Sequence, residues 1–308
     1  MDLKTILPKN FGRYTENAPL AKLCWFRCGG AAEVLFEPRS IDDLVGLIVA
    51  KPSNVKITVV GAGSNLLIRD GGVPGLTVKL GKTISYISID GLKILAGAGT
   101  NNVQIARAAR EAGIAGLEFM EGIPGSVGGS LRMNAGAYDQ EIADIVLCVR
   151  VIDENGRIQM LPREELSFSY RYCKIPSNWI FIEAVFLGKR GTPKSIDSLM
   201  KEMKLKREKS QPVRVRTGGS TFINPKGAPA WKLIEDAGCR GLRCGNAMIS
   251  QEHCNFLVNT GNATAADLET LGEEVRSRVR KHSGVSLEWE IQRIGILESG
   301  AGKENERS

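Results

Sequence analysis

No run of about 20 uninterrupted apolar residues, the length a helix needs to cross a bilayer, occurs in this chain of 308 residues, so no membrane span is expected. The first ten residues are too polar for the apolar core of a secretory signal, which leads to an expectation of a cytoplasmic protein. Cysteine is present as an odd set of seven. With no secretion signal expected, that set argues against a disulfide framework and favours reduced thiols. Two pairs, Cys24 with Cys28 and Cys239 with Cys244, resemble metal-ligand spacing only superficially, and no metal is expected. No repeat with a fixed period of about 20–50 residues appears, which removes solenoids and propellers.

What is present lies close to the globular average. Hydrophobic residues at 43% and charged residues at 24% argue against disorder, collagen and coiled coil together. At roughly 150 residues per domain the length predicts about two domains with a sizeable core. Glycine is the outlier: 35 residues are about 11% of the chain against a usual ~7%. They fall in pairs and triplets inside apolar stretches, where backbone must approach something closely. The formal charge of +7 suits an anionic partner, whether phosphate, nucleic acid or an acidic lipid surface.

Residues 40–50 open on Ser40 with Asp43 three positions on, then carry Leu44, Leu47 and Ile48, which predicts a helix opened by a capping box. A β-branched run at 56–60 follows and stops at a glycine turn, as a buried strand does before a ligand loop. Residues 101–111 predict a helix ended by Gly113. Apolar runs at 145–152 and 179–187 predict strands, the first closed by a turn at 153–156. Residues 195–210 predict a helix with apolar Ile196, Leu199, Met200 and Met203 and a dense basic face. Beyond Pro212 come a short helix near 229–236 and a long one at 264–282, capped by Thr264 with Asp267, stopped by Gly284 and striped by Leu268, Leu271, Val275 and Val279. The mixture of strands, glycine loops and helices reads as α+β or mixed α/β.

Two glycine-rich loops carry the strongest chemical signal. They are Gly61-Ala62-Gly63-Ser64-Asn65-Leu66 and Gly122-Ile123-Pro124-Gly125-Ser126-Val127-Gly128-Gly129, the second followed by Asn134-Ala135-Gly136. Successive backbone N–H groups in such turns form concave anion sites, and a Cβ would hold a phosphate away. A diphosphate suits them. The dinucleotide fingerprint is not met, since Leu66 stands where its third glycine belongs, and the stretch from Gly75 to Thr83 misses the phosphate-loop spacing by one residue.

These loops belong to a longer pattern. With Trp25-Phe26-Arg27-Cys28-Gly29-Gly30, Met133-Asn134-Ala135-Gly136-Ala137-Tyr138, Ser169-Tyr170-Arg171, Gly218-Gly219-Ser220-Thr221-Phe222-Ile223-Asn224-Pro225, His253-Cys254-Asn255-Phe256 and Leu287-Glu288-Trp289-Glu290-Ile291, the chain resembles the UDP-N-acetylenolpyruvoylglucosamine reductase family over about residues 10–295. The resemblance implies an α+β architecture. It consists of a vanillyl-alcohol-oxidase type (PCMH-type) FAD-binding fold and a C-terminal α+β substrate domain. FAD is thereby assigned to Gly61, Gly63, Ser64, Asn65, Leu66, Gly122, Ile123, Pro124, Gly125, Ser126, Gly129, Asn134 and Gly136, and backbone amides are suited to its diphosphate. The only histidines are His253 and His282, both in the C-terminal third, so the flavin is expected to bind without a histidyl bond.

The residue chemistry of the catalytic positions can be read beside the resemblance. Leu287, Trp289 and Ile291 alternate with Glu288 and Glu290, so a strand there would turn two carboxylates, about 7 Å apart, away from the core. Ser220 follows two glycines that would let a ligand approach its hydroxyl. Arg171, between Tyr170 and Tyr172, has a setting suited to a bidentate carboxylate contact. The resemblance implies NADPH as hydride donor and a UDP-enolpyruvyl sugar as acceptor, with Arg171 and Glu290 stabilising the enolate-like intermediate and Ser220 protonating C2. Glu288 remains the alternative to Glu290. Tyr170 and Asn224 are expected at the substrate. Ile223 replaces a lysine usual in the family, which leaves phosphate attraction to Lys226 or Arg216. The short span from Arg171 to Ser220 looks like the shorter type of this enzyme.

The expected division is a flavin domain at 1–190, with parts near 1–66 and 67–190, a linker helix at 191–212, a substrate domain at 213–297 and a disordered tail at 298–308. A monomer without nucleic-acid binding or membrane insertion is expected. The rival readings are another FAD oxidoreductase of this fold acting on a sugar or alcohol, and a basic nucleic-acid-binding protein.

Overall fold

The computed structural model describes residues 3–212 and 215–298. The chain forms two compact units: Met1–Thr15, Val34–Ala62 and Gly75–Arg207 make the first, while Glu16–Glu33, Gly63–Pro74 and the chain from Glu208 onward make the second. Both mix helices and strands, as expected of an α+β chain. Residues 213 and 214, and 299–308 of the expected tail, lie outside the described residues. No helix among the described residues is long and apolar enough to cross a membrane.

In the first unit the helix Ile41–Ala50 starts where Ser40 accepts the Asp43 N–H at 3.0 Å, and it buries Leu44, Leu47 and Ile48. The Asp43 carboxylate does not complete a capping box; it takes the Gly12 and Arg39 N–H groups instead. Strand Ile57–Val60 runs parallel to Val73–Lys79, with Val60 opposite Lys79, and ends at the first glycine loop. A four-stranded sheet has the order Arg13–Pro19, Ala31–Glu37, Val73–Lys79, Ile57–Val60. An antiparallel five-stranded sheet has the order Ile158–Pro162, Val146–Ile152, Ile180–Leu187, Lys93–Gly97, Ile87–Asp90. Its first pair turns at Gly156, in the left-handed region at φ +80°, as the turn residues 153–156 predict. Helix Asn102–Glu111 buries Ile105, Ala106 and Ala109, one line of an amphipathic face.

Helix Pro193–Ser210 begins two residues before its expected start, with Thr192 and Ser195 exchanging side-chain bonds at the cap. Its expected stripe is narrower than the spacing implies. Ile196 and Met200, one turn apart, are buried, whereas Leu199 is exposed. The helix meets the core along one edge only.

The second unit is organised on helix Ala265–Ser283, whose stripe Leu268, Leu271, Val275 and Val279 is buried as the 3.6-residue period requires. Thr264 and Asp267 form the capping box, and the Asp70 carboxylate accepts two further N–H groups, from Ala265 at 3.0 Å and Ala266 at 2.8 Å. A carboxylate at that end also favours the helix dipole. Strand Leu66–Ile68 pairs in parallel with Gln292–Ile294, and the strands Arg243–Cys244, Ala247–Ile249 and Leu257–Asn259 form an antiparallel sheet. Arg69 and Arg293 both reach Glu269, and their guanidinium charges hold its carboxyl below the usual carboxylate range.

The strand expected at 287–291 is not formed. The segment is extended but makes one bridge, Trp289 opposite Phe222, and regular pairing starts at Gln292. Alternation survives in part, with Leu287 and Ile291 fully buried. Trp289 is partly covered: its ring lies against Phe222, with centroids 5.1 Å apart, and under the Arg293 guanidinium at 4.6 Å, while its Nε1 donates to Glu273. All seven cysteines are free thiols, and burial pushes the Cys28 thiol up to about 12.

Gly272 sits inside the long helix, where alanine usually stabilises by about 1 kcal/mol. A Cβ there would run into the Trp289 indole. Gly272→Ala is therefore expected to reverse that sign and cost about 1–3 kcal/mol, read as a lowered thermal midpoint. A raised midpoint would show that the indole yields freely.

Candidate active site

Within the first unit the two glycine loops meet at Gly61 and Ser126. A Cβ on Gly61 would stand 2.5 Å from the Ser126 hydroxyl oxygen, so this approach requires glycine. Ser126 is buried, precedes helix Val127–Arg132 and makes no capping bond with its side chain. Gly125 has φ +137° and its carbonyl accepts the Asn102 N–H at 3.1 Å, while a Cβ on Gly129 would find only the Ser126 hydroxyl, 3.7 Å away. Backbone here is close-packed between the loops and uncrowded beyond them, the cradle that a diphosphate needs.

Each loop is gripped from behind by a cation that the sequence reading missed. Lys79, opposite Val60 in the parallel pair, donates its ammonium to the Gly61 carbonyl. Arg207, near the end of helix Pro193–Ser210, donates to the Gly122 carbonyl. Neither forms an ion pair among the described residues, and burial lowers the pKa of both. Half-buried cations that form no ion pair among the described residues and stand beside a glycine cradle suit an anionic ligand. A lysine ending an otherwise apolar strand, Thr77-Val78-Lys79-Leu80, was a visible signal for the first. Arg207 was hidden in a run of basic residues.

Several expected flavin positions have structural duties. The missing side chain of Gly122 makes room for the Tyr138 ring, 2.6 Å from where a Cβ would be, and the Tyr138 hydroxyl donates to the Met203 carbonyl at 2.7 Å. Gly136 is similarly crowded by the Gln140 carbonyl at 2.5 Å. The Asn134 side chain, expected among the flavin donors, is spent within the protein. It donates to Glu141 at 2.7 Å and the Ser169 carbonyl at 3.1 Å and accepts the Ala143 N–H at 3.0 Å. Ile123 is buried in the core and its carbonyl accepts from Asn102; Pro124 precedes Gly125 in the same turn.

The Ser169 carbonyl belongs to the Arg171 turn. Ser169 and Tyr172 exchange two 3.0 Å backbone bonds around it, and Arg171 adopts φ +56°, a left-handed conformation costly for a residue with a long side chain. Its guanidinium lies 4.9 Å from the exposed Tyr170 ring. The turn is thus held rigidly with the charge at its tip.

Within the second unit, Gly63, with φ +68°, packs where a Cβ would strike the Leu23 carbonyl, and its own carbonyl accepts the Trp25 N–H at 3.0 Å. The Leu66 carbonyl accepts from the buried Cys24 thiol at 3.0 Å, so Leu66 and Gly63 flank Ser64 and Asn65 with fixed backbone. Of the glycine pair before Ser220, only Gly219 faces open space, at φ +83°; Gly218 is closed off by the Phe26 ring at 2.6 Å. Ser220 bridges Phe256, and the neighbouring Thr221 carbonyl accepts the Glu290 N–H at 2.9 Å. Ser220 and Glu290 are thus brought to adjacent strands of backbone. Glu288 is exposed, whereas Glu290 is half-buried. Three residues before Ser220, the buried Thr217 hydroxyl has no partner among the described residues. The Asn224 side-chain oxygen accepts the Ala230 N–H at 2.9 Å and so tethers the helix Ala230–Asp236. Ser220 and Glu290 lie in the second unit with Asn224; Arg171 and Tyr170 lie in the first.

Residues 211–294 match the family model described as UDP-N-acetylenolpyruvoylglucosamine reductase, C-terminal domain, and residues 32–161 match that of an FAD binding domain. The chain is 53% identical over 295 residues to a UDP-N-acetylenolpyruvoylglucosamine reductase of Paramagnetospirillum magneticum, covering 96% of each chain. It is 52% identical over 296 residues to one of Parvibaculum lavamentivorans, again covering 96% of each. A crystal structure of the UDP-N-acetylenolpyruvylglucosamine reductase of Thermus caldophilus superposes with a TM-score of 0.80 at 33% identity, over 92% of this chain and 98% of that one.

Lys79→Met is expected to weaken FAD binding to the apo-protein about 10–100-fold, since charged hydrogen bonds are worth about 1.5–3 kcal/mol. Flavin fluorescence titration measures it, and an unchanged affinity would mean that the lysine only fills space. A second expectation concerns pH. The His253 ring lies against Phe256, with centroids 4.8 Å apart, and its Nδ1 accepts the Asn255 N–H at 3.2 Å, which requires that nitrogen unprotonated. Burial lowers its pKa. The unfolded chain then binds more protons as pH falls below about 6.5, so stability present above that value is lost as pH drops toward the folded pKa. Thermal midpoints from pH 8 to 5 should fall less steeply for His253→Gln; equal slopes would remove His253 as the cause.

Proposed function

Because the chain belongs to the UDP-N-acetylenolpyruvoylglucosamine reductase family, we propose how its residues share that reaction. It is an FAD-dependent oxidoreductase that reduces the enolpyruvyl group of UDP-N-acetylglucosamine enolpyruvate to UDP-N-acetylmuramate in peptidoglycan precursor synthesis. Bound FAD supplies the hydride, taken from NADPH, to C3 of the enolpyruvyl group.

In this reading the backbone of the two glycine loops, held by Lys79 and Arg207, binds the flavin diphosphate. Gly61, Gly125, Ser126 and Gly129 shape the cradle, Gly63, Ser64 and Leu66 offer further backbone to the flavin, and Asn65 enters through its backbone only, its side chain being taken by Glu290. The Arg171 guanidinium binds the substrate carboxylate, where negative charge accumulates as C3 gains its hydrogen, and Tyr170, whose ring lies 4.9 Å from that guanidinium, is the neighbouring substrate contact. The Glu290 carboxylate orients the sugar's enolpyruvyl end beside the proton donor. Ser220 gives its hydroxyl proton to C2 and recovers one from solvent. An alcohol is a weak acid, but the carbanionic C2 is a strong base, so position decides. Asn224 contacts the UDP moiety, with Lys226 and Arg216 contributing charge.

The observation that carries this assignment is the opening at Gly219, which leaves the approach to Ser220 clear while Thr221 ties Glu290 beside it. The carboxylate choice favours Glu290 over Glu288 because Glu290 is half-buried and backbone-tied, whereas Glu288 is exposed. Residues 1–190 serve the flavin, 191–212 link and lend Arg207 to the cradle, and 213–297 serve the substrate. The flavin is held without a covalent bond, and the enzyme works as a cytoplasmic monomer. Nucleic-acid binding is disfavoured because the basic helix pairs its charges locally, Lys201 with Asp197 and Lys206 with Glu202. Another oxidoreductase of this fold would reoxidise its flavin with oxygen rather than with the enolpyruvyl sugar.

Ser220→Ala is expected to leave flavin reduction by NADPH within about twofold of normal and to lower sugar-dependent reoxidation at least 1,000-fold, about 4 kcal/mol of barrier. Stopped-flow flavin absorbance separates the two half-reactions. Normal reoxidation by the sugar in this variant would end the proton-donor assignment.

A further inference from the structure

Asn65 stands in the first glycine loop, yet its polar groups reach the segment that carries Glu290. Its side-chain Nδ2 donates to the Glu290 carbonyl at 3.0 Å, and its own carbonyl accepts the Gln292 N–H at 3.0 Å. Glu290 is tied on its other side by Thr221, whose carbonyl accepts the Glu290 N–H at 2.9 Å. Thr221 is fully buried and itself fixed: its N–H donates to the Asn255 carbonyl at 2.8 Å and its hydroxyl accepts the Leu257 N–H at 3.0 Å. Both polar backbone groups of Glu290 are therefore held, one by the residue after Ser220 and one by a residue of the flavin loop.

We propose that Asn65 is a positioning residue for the Glu290 carboxylate, so that the loop which cradles the flavin also sets the placement of the group that meets the substrate. This rests on the assignment of Glu290 made above. The regular parallel pairing of Leu66–Ile68 with Gln292–Ile294 begins only beyond Glu290, and Ile291 is anchored in the core, so nothing in that ladder fixes the carbonyl of residue 290 itself. The preceding segment makes one bridge at Trp289. At residue 290 the chain thus passes between two fixed points, and the Asn65 amide takes up its carbonyl at 3.0 Å, with the exposed Gln292 Nε2 reaching the same oxygen only at 3.5 Å. A glutamate side chain has several rotatable bonds, and a shift of about 1 Å in its backbone is enough to cost about 100-fold in rate.

The sign of the proposal differs from a flavin contact, and the two separate in the half-reactions. Asn65→Ala should keep FAD affinity of the apo-protein within about threefold and keep flavin reduction by NADPH normal. It should slow sugar-dependent reoxidation about 10–100-fold. Asn65→Asp, the same shape without the donor, should slow that step at least as much, which covers the case of a poorly folded alanine variant. Combined with Glu290→Gln, Asn65→Ala should add nothing to the loss caused by Glu290→Gln alone. If FAD affinity falls while reoxidation at saturating FAD stays normal, Asn65 serves the flavin and the proposal is overturned. Multiplying losses in the double variant would overturn it as well, with the Glu290 assignment left standing. If Glu290→Gln alone reoxidises normally, the underlying assignment fails and the proposal fails with it.

Discussion

At Gly61 a Cβ would stand 2.5 Å from the Ser126 hydroxyl, and the rest of the first unit's site is arranged around that approach. Two loops that come this near present backbone rather than side chains, so what they offer a ligand is set by the direction of their peptide groups. Peptides in loops turn readily unless something holds them. Lys79 and Arg207 take the carbonyls of Gly61 and Gly122, which commits those two peptides to one orientation. The same cations place positive charge behind the cradle at the cost of desolvation, a cost that an anionic ligand offsets.

The second unit applies a related device with hydrogen bonds instead of charge. Thr221 carries information in both directions: its side chain and N–H lock it to residues 255–257, and its carbonyl locks Glu290. Asn255 ties the same stretch from the other side, accepting the Phe222 N–H and donating to the Phe222 carbonyl. Ser220 therefore stands at the edge of a doubly fixed segment, with only Gly219 relieved of packing. Hydrogen bonds fix the stretch from Thr221 to Phe222, and open space is left at Gly219 beside it.

Much of the fold was legible because local rules dominate in its helices. Ser40, Thr264 and Gly284 mark helix ends by capping chemistry that needs no tertiary context, and the stripe of Leu268, Leu271, Val275 and Val279 is a plain 3.6-residue period. The strand at 287–291 failed because alternation reports which side is buried, not whether a neighbour is present to pair. The site was legible as motifs and less so as duties. Glycine pairs look alike in sequence, although Gly219 opens to space and Gly218 abuts Phe26. Asn134 looked like a ligand donor because an amide beside glycines suits that role, and only three-dimensional proximity reveals that Glu141, Ala143 and Ser169 take up its groups. Arg171 was legible as chemistry, but its left-handed backbone, which aims the charge, was not.

The composition of the second unit also has a bearing on synthesis. It is assembled from Glu16–Glu33, Gly63–Pro74 and the chain from Glu208 onward, and the short strand Leu66–Ile68 pairs with Gln292–Ile294, made more than 200 residues later. At about 5–20 residues per second, a ribosome leaves that strand without its partner for roughly 10–45 s. For most of that interval Asp70 has no helix to cap and Arg69 no Glu269 to meet. The chain is thus vectorial in a particular way: Leu66–Ile68 is made early and is paired only once Gln292–Ile294 has left the exit tunnel, so truncation before residue 292 would leave an apolar strand without its partner.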